Sequence, residues 1–173
     1  MTIANLTLLI LRLVVGLTFA AHGAQKAFGW WNGPGLDKWR EIVAGMHFRP
    51  VGLWTAVSIG GELVGGLMLA LGLLTPLAAT ALIGQSVVLT LKVHLPNGFW
   101  NANHGVEFGV ALGAGAVALL GVGAGSLSID HAIGFALSEP VLWLLLAIGL
   151  VGGVASYGFS QVAAAPRAAM QHR

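Results

Sequence analysis

Cysteine is absent from the chain. Disulfide exchange, thiolate nucleophiles and cysteine-held iron–sulfur clusters are thereby excluded, and cysteine usage gives no reading of the redox compartment. Charge is scarce too. Lys, Arg, Asp and Glu make up 8% of 173 residues, against about 25% in a soluble domain. So few charges do not clothe a water-facing surface. With 57% apolar residues, the chain reads as an all-α membrane protein whose solvent is lipid. A formal charge of +2 gives no footing for nucleic acid. Also missing are H-E-x-x-H, G-x-S-x-G and both glycine-rich phosphate loops, so zincin, serine-hydrolase and nucleotide chemistry lack support, and no flavin motif stands out. His22, His94, His104 and Glu107 offer N and O ligand types but no tight set, and neither a metal nor haem is expected.

What is present is length without polarity. A helix crossing ~30 Å of hydrocarbon needs about 20 mostly apolar residues. Five segments qualify: 6–28, 51–74, 77–95, 104–122 and 140–159. The expected architecture is a four-helix transmembrane bundle plus a fifth C-terminal transmembrane helix. Residues 1–130 hold the bundle, 131–159 the added helix and 160–173 a loose tail. The first segment reads as a retained helix rather than a signal peptide, because Arg12 interrupts its apolar run and no basic stretch precedes it. Thr75-Pro76 forces a tight hairpin, with Pro76 suited to a first helical turn. Between the first two spans, Leu36, Trp39, Val43 and Met46 recur at helical spacing among Asp37, Lys38, Arg40 and Glu41. That pattern predicts a short interfacial helix. Most Lys and Arg fall on the side opposite the N-terminus. The positive-inside rule then puts the N-terminus outside and the C-terminus in the cytoplasm of a bacterial-type inner membrane. Trp30, Trp31, Trp39, Trp54 and Trp100 share that cytoplasmic side, as an aromatic belt or a pocket mouth. Gly61-x-x-x-Gly65, Gly105-x-x-x-Gly109-x-x-x-Gly113 and Gly149-x-x-x-Gly153 allow close helix packing, within the chain or across a homodimer.

The polar residues inside the spans are the pointers to function. A charge at mid-bilayer costs at least ~2.5–3.5 kcal/mol on insertion scales, so it persists where it pairs, lines a wet cavity or does chemistry. Counted at about 1.5 Å per residue, Arg12, Glu62 and Gln85 fall in one layer within about one helical turn. An Arg12–Glu62 ion pair with Gln85 as hydrogen-bond partner is the expected arrangement there. A second layer lies toward the cytoplasmic side: His22, Gln25 and Lys26 on one face, Lys92 and His94 ending the third span, His104 and Glu107 opening the fourth. Each group has a structural alternative. The ion pair fixes register, His22 bonds a backbone carbonyl, and Lys26 and Lys92 snorkel to the interface. Their clustering favours one wet cavity.

The stretch LRLVVGLTFAAHGAQKAFGWWNGPGLD, followed by GGELVGGLMLALGLLTPLAA and VHLPNGFW, resembles the DoxX family of small membrane proteins. The likeness runs over about residues 8–130, to Leu127-Ser128-Ile129-Asp130. Its most specific part is His22-Gly23-Ala24-Gln25-Lys26 with Phe28-Gly29, supported by Glu62 and by Pro96-Asn97-Gly98-Phe99. The resemblance implies a four-helix core and small subunits of quinone-linked respiratory complexes. The related DoxD branch is a subunit of thiosulfate:quinone oxidoreductase, and other members are associated with oxidative stress. By matching position it implies His22, Gln25, Lys26 and Glu62 as the functional cluster.

The leading expectation is a membrane subunit of a quinone-linked oxidoreductase, with the quinone in a polar pocket between the first four spans. Catalytic roles fall to His22, Glu62 and Glu107. Ligand contacts fall to Arg12, His22, Gln25, Lys26, Gln85, Lys92, His94, His104, Trp30 and Trp100, with His22 and Lys26 donating to one quinone carbonyl. The chain carries no electron carrier of its own, so it requires a redox partner protein and is not catalytic alone. Two alternatives are a non-enzymatic scaffold for a redox or stress-response partner and a small proton-coupled transporter. The second is disfavoured by the lack of an inverted repeat.

Overall fold

Apolar runs of this length satisfy their backbone in lipid by forming helices. The computed structural model describes residues 2–164 and is helical, with no strand among them. Helix α1 spans Ile3–Phe28, α2 Gly35–Gly45, α3 Val51–Leu71 and α4 Thr75–Leu89. The α4 axis continues through a π turn at Thr90–His94 and a 3-10 turn at Leu95–Asn97. Helix α5 covers Glu107–Val122, α6 is the single turn Ile129–Ala132, and α7 spans Glu139–Ala164. Helix α7 therefore runs past the expected boundary at 159, and the rest of the expected tail, 165–173, lies outside the described residues.

Four stretches are long and apolar enough to cross a membrane: Ile3–Phe28, Val51–Leu71, Thr75–Asn97 and Glu139–Ala164. The fourth expected span, 104–122, is shorter as a helix, at 16 residues. Its first residues are drawn into a loop instead, where the Val106 and Glu107 amides donate to the carbonyls of Gly98 and Phe99.

The core lies among α1, α3, α4 and α5, with Val15, Phe19, Leu69, Ala79, Leu82 and Leu119 at its centre. Helices α1 and α3 pack antiparallel and at backbone contact. A Cβ on Gly16 would lie 2.5 Å from the Gly66 carbonyl oxygen, and one on Gly66 would lie 2.5 Å from the Ala20 nitrogen. A smaller cluster of Trp39, Val43 and Phe48 seats α2. Helix α7 packs chiefly on α4. The two run parallel, since Gly149 faces Thr80 and Gly153 faces Gly84 and Val87. The glycine motifs expected to pack helices do so inside the chain: Gly61 meets Gln85, Gly109 meets Thr90 and Gly113 meets Ser86.

At the N-terminal side, Asp130 fastens the α5–α6 connection to the α3–α4 turn. Its carboxylate accepts from the Leu74 amide at 2.6 Å and the Thr75 amide at 2.8 Å, the free donors at the start of α4. Its own amide donates to the Gly72 carbonyl. The buried Arg12 guanidinium donates to the Leu127 carbonyl of the same segment. Asp130→Ala removes a helix cap and the charge that faces Arg12. We expect it to cost about 3 kcal/mol, read as a lower midpoint of SDS-induced unfolding. An unchanged midpoint would mean that the clasp contributes nothing.

Candidate functional site

In an α-helix the Cα–Cβ bond tilts toward the N-terminus. On antiparallel α1 and α3, long side chains offset by about half a turn in level therefore lean toward each other. Lys26 and Glu62 meet in this way, Nζ to Oε1 at 2.5 Å. Both residues are buried, at 8% and 1% exposure. The Lys26 ammonium also lies 4.3 Å from the centroid of the Trp39 ring, a cation–π contact that strengthens as water is removed. Trp39 is held in turn: its Nε1 donates to Ser58 Oγ at 2.8 Å, and the Ser58 hydroxyl donates to the Thr55 carbonyl. Gln85 reaches from α4, its Nε2 donating to the carbonyls of Val57 and Ser58 at 3.0 and 3.2 Å. Glu62 Oε2 makes no hydrogen bond among the described residues.

The expected Arg12–Glu62–Gln85 layer is corrected. With Gly66 beside Ala20, Glu62 comes level with about residue 24, roughly 18 Å of helical rise from Arg12. The Arg12 side chain leans the other way, toward the N-terminus of α1 and Leu127. Counting depth from each span's first apolar residue missed this, because the spans are staggered by their packing.

The second expected layer divides. His22 is exposed on α1, bonds Gln25 Oε1 at 3.2 Å through Nδ1 and stands edge-on to Phe108. His22 and Gln25 line a different surface pocket, with Trp31, from the cavity that Lys26 lines, so His22 and Lys26 do not share one cavity. The His94 ring nitrogen Nδ1 lies 2.7 Å from the His104 carbonyl, and Glu107 Oε2 accepts from the Asn101 amide. These three residues brace the 95–106 loop. Lys92 lies 5.9 Å from the Tyr157 ring. Trp30 and Trp100 are exposed and pair with Phe28 and Phe99. Among the described residues no three His, Asp or Glu side chains gather as a metal site.

A cavity of about 270 Å³ adjoins the ion pair. Lys26, Trp39, Ser58 and Gln85 mark its polar end, and apolar residues of α3, α4 and α7, such as Val57, Val88 and Ile148, form the rest. Its outer wall is α7 rather than the fourth span expected from sequence. Ser58 was not anticipated as a site residue, and Trp39 was expected only in an aromatic belt or pocket mouth, not among the ligand contacts. In the sequence Trp39 is one member of an amphipathic stripe. The only available signal was that a buried indole N–H needs an acceptor.

The DoxX family model matches residues 7–95. That stretch runs from the second turn of α1 through α4 and the π turn after it, and carries Lys26, Trp39, Ser58, Glu62 and Gln85. Residues 96–130, where the sequence likeness was also noted, lie beyond the match. Comparisons with curated proteins and with solved structures find no match. The matched stretch is just over half of the chain and holds the whole polar end of the cavity, and the protein belongs to the DoxX family, as a multi-pass membrane member.

Proposed function

We propose that this protein binds a quinone, or a lipid-soluble redox molecule of like shape, in the cavity beside Lys26, as the membrane subunit of a quinone-linked oxidoreductase. The observation that carries this reading is the hydrogen-bond inventory of the cavity. An ammonium has three donors, and Glu62 takes one of those on Lys26. Gln85 spends its Nε2 on two carbonyls, which leaves Oε1 to accept. Trp39 and Ser58 have already spent their protons. The cavity thus offers one strong donor and one acceptor in an apolar surround, the arrangement typical of small-ligand sites.

The Lys26–Glu62 pair is neutral as a unit, so the site suits an uncharged headgroup. A fatty carboxylate would bring a charge with no counterion. A quinone, when bound, supplies two-electron redox chemistry. This chain's part is to hold it: Lys26 donates to a carbonyl oxygen, and Gln85 accepts from a hydroxyl of the reduced form. Electrons come from a partner protein, since no flavin or iron–sulfur motif stands out in the sequence. Helix α5 runs antiparallel to α4, with Gly109 against Thr90 and Gly113 against Ser86. That supports a fifth crossing, which puts the termini on opposite sides, and the excess of Lys and Arg on the side opposite the N-terminus favours the N-terminus outside.

The test is mass spectrometry of small molecules that co-purify in mild detergent. Wild type and His22→Ala are expected to retain a quinone equally, because His22 lies outside the cavity. Gln85→Leu is expected to retain about fivefold less, the loss of roughly one net hydrogen bond. No quinone in well-folded wild type, or equal retention in Gln85→Leu, would overturn the reading.

A further inference from the structure

The wall opposite the polar end of the cavity is built differently. That wall is α7, which lies outside the family match. Ile148, Gly149, Gly152, Gly153 and Ser156 of α7, together with Thr80, Ala81 and Gly84 of α4, line this side of the cavity. The two hydroxyls here are turned away from any ligand. Thr80 Oγ1 donates to the Pro76 carbonyl and Ser156 Oγ to the Gly152 carbonyl, each at 2.7 Å. An exposed hydroxyl bonded back to its own helix presents its carbon side. Despite its polar residue types, the wall is therefore smooth and apolar, and Ala81 and Ile148 beside it are exposed toward lipid.

The glycines of α7 have different tasks. Gly149 and Gly153 seat the helix on α4, where a Cβ would lie 3.0 Å from the Thr80 carbonyl oxygen and 2.6 Å from Val87 Cβ respectively. Gly152 lines the cavity yet has nothing within 4 Å of its Cβ position. Its missing side chain is not needed for packing and leaves room.

From this we infer that the C-terminal helix is the specificity wall of the site. An uncharged ligand's alkyl or isoprenoid tail leaves the cavity through the α4–α7 groove, and Gly152 sets the room available to it. The inference rests on the proposed quinone site for the headgroup, but the tail groove is tested separately. Gly152→Phe places a ring at the groove from a position where the Cβ meets nothing within 4 Å. Gly158→Phe is the control, since Gly158 is on the same helix, also has nothing within 4 Å of its Cβ position, and is not part of the cavity.

Two probes are used on the full chain in detergent. The first is a pair of benzoquinones, one with a decyl tail and one without, compared by equilibrium binding. Wild type and Gly158→Phe are expected to bind the tailed quinone at least about tenfold more tightly than the tailless one, a gain of about 1.4 kcal/mol. Gly152→Phe is expected to bind the tailless quinone as wild type does and to lose that tail-dependent gain. The second probe is decyl alcohol carrying a terminal diazirine, which has no quinone head. After illumination it is expected to label residues 148–156 in wild type and Gly158→Phe, and not in Gly152→Phe. Undiminished tail preference or labelling in Gly152→Phe overturns the inference. Failure of both quinones to bind wild type, with diazirine labelling intact, removes the quinone reading and leaves the tail groove standing.

Discussion

Glu62→Leu is expected to lower stability by about 3–5 kcal/mol, and adding Lys26→Met to recover most of that loss. The reason is the asymmetry of a buried ion pair. Removing one partner leaves the other charge unpaired in a medium of low dielectric, whereas removing both leaves an apolar contact of similar volume. Here the asymmetry is strong, because Glu62 is 1% exposed and Lys26 8%. Lys26 keeps its contact with the Trp39 ring in Glu62→Leu, which offsets about 0.5–2 kcal/mol. The single Lys26→Met, which strands the carboxylate with no such compensation, is therefore the worse of the two. SDS-induced unfolding followed by tryptophan fluorescence measures all three variants. Near-additive losses in the double variant would show that the pair is not a unit. The double variant also separates stability from binding. It is expected to fold and to lose the co-purifying quinone, because the Lys26 donor is gone.

The second large effect falls on a methyl group. Gly66→Ala is expected to cost about 3 kcal/mol through overpacking, while Gly65→Ala, one residue earlier, changes stability by less than about 1 kcal/mol. A Cβ on Gly66 would meet the Ala20 nitrogen and the Gly16 carbonyl oxygen, both at 2.5 Å, and these are backbone atoms that move only with α1 itself. A Cβ on Gly65 would meet Leu82 Cδ2 at 3.7 Å, an ordinary contact. Because α1 carries Lys26 and α3 carries Glu62, separating the helices at Gly66 also pulls the ion pair apart. Comparison of the two variants by SDS unfolding and by ligand retention tests this. Equal tolerance at both glycines would contradict the close approach of α1 and α3.

Much of the scaffold is legible in the residue order. The runs around Arg12, Glu62 and Gln85 are long and apolar, and they form α1, α3 and α4; Pro76 sits in the first turn of α4. The stripe of Trp39 and Val43 gives α2. Hydropathy does not see the start of α5, because the loop that consumes residues 104–106 is set by backbone bonds to Gly98 and Phe99. The site is half legible. Lys26, Glu62 and Gln85 stand out as polar residues in apolar spans. Their partners do not, because pairing depends on the stagger of antiparallel helices and on the direction in which side chains lean. The same lean sends Arg12 to Leu127 rather than to Glu62. Polarity alone also does not distinguish His22, which lies outside the cavity, from Lys26, four residues on, which lines it.

The parallel course of α4 and α7 gives the cavity an order in time. Residues 7–95 build its polar end and three of its sides, and α7 begins only at Glu139. Chains are made and folded from the N-terminus. Until the last helix is released and docks through Gly149 and Gly153, the bilayer itself closes the fourth side. During that interval the nascent protein is open along its length to anything dissolved in the membrane. The arrival of α7 then narrows that opening to the α4–α7 groove, beside the exposed Ala81 and Ile148, so an occupant enters or leaves the finished site along its tail.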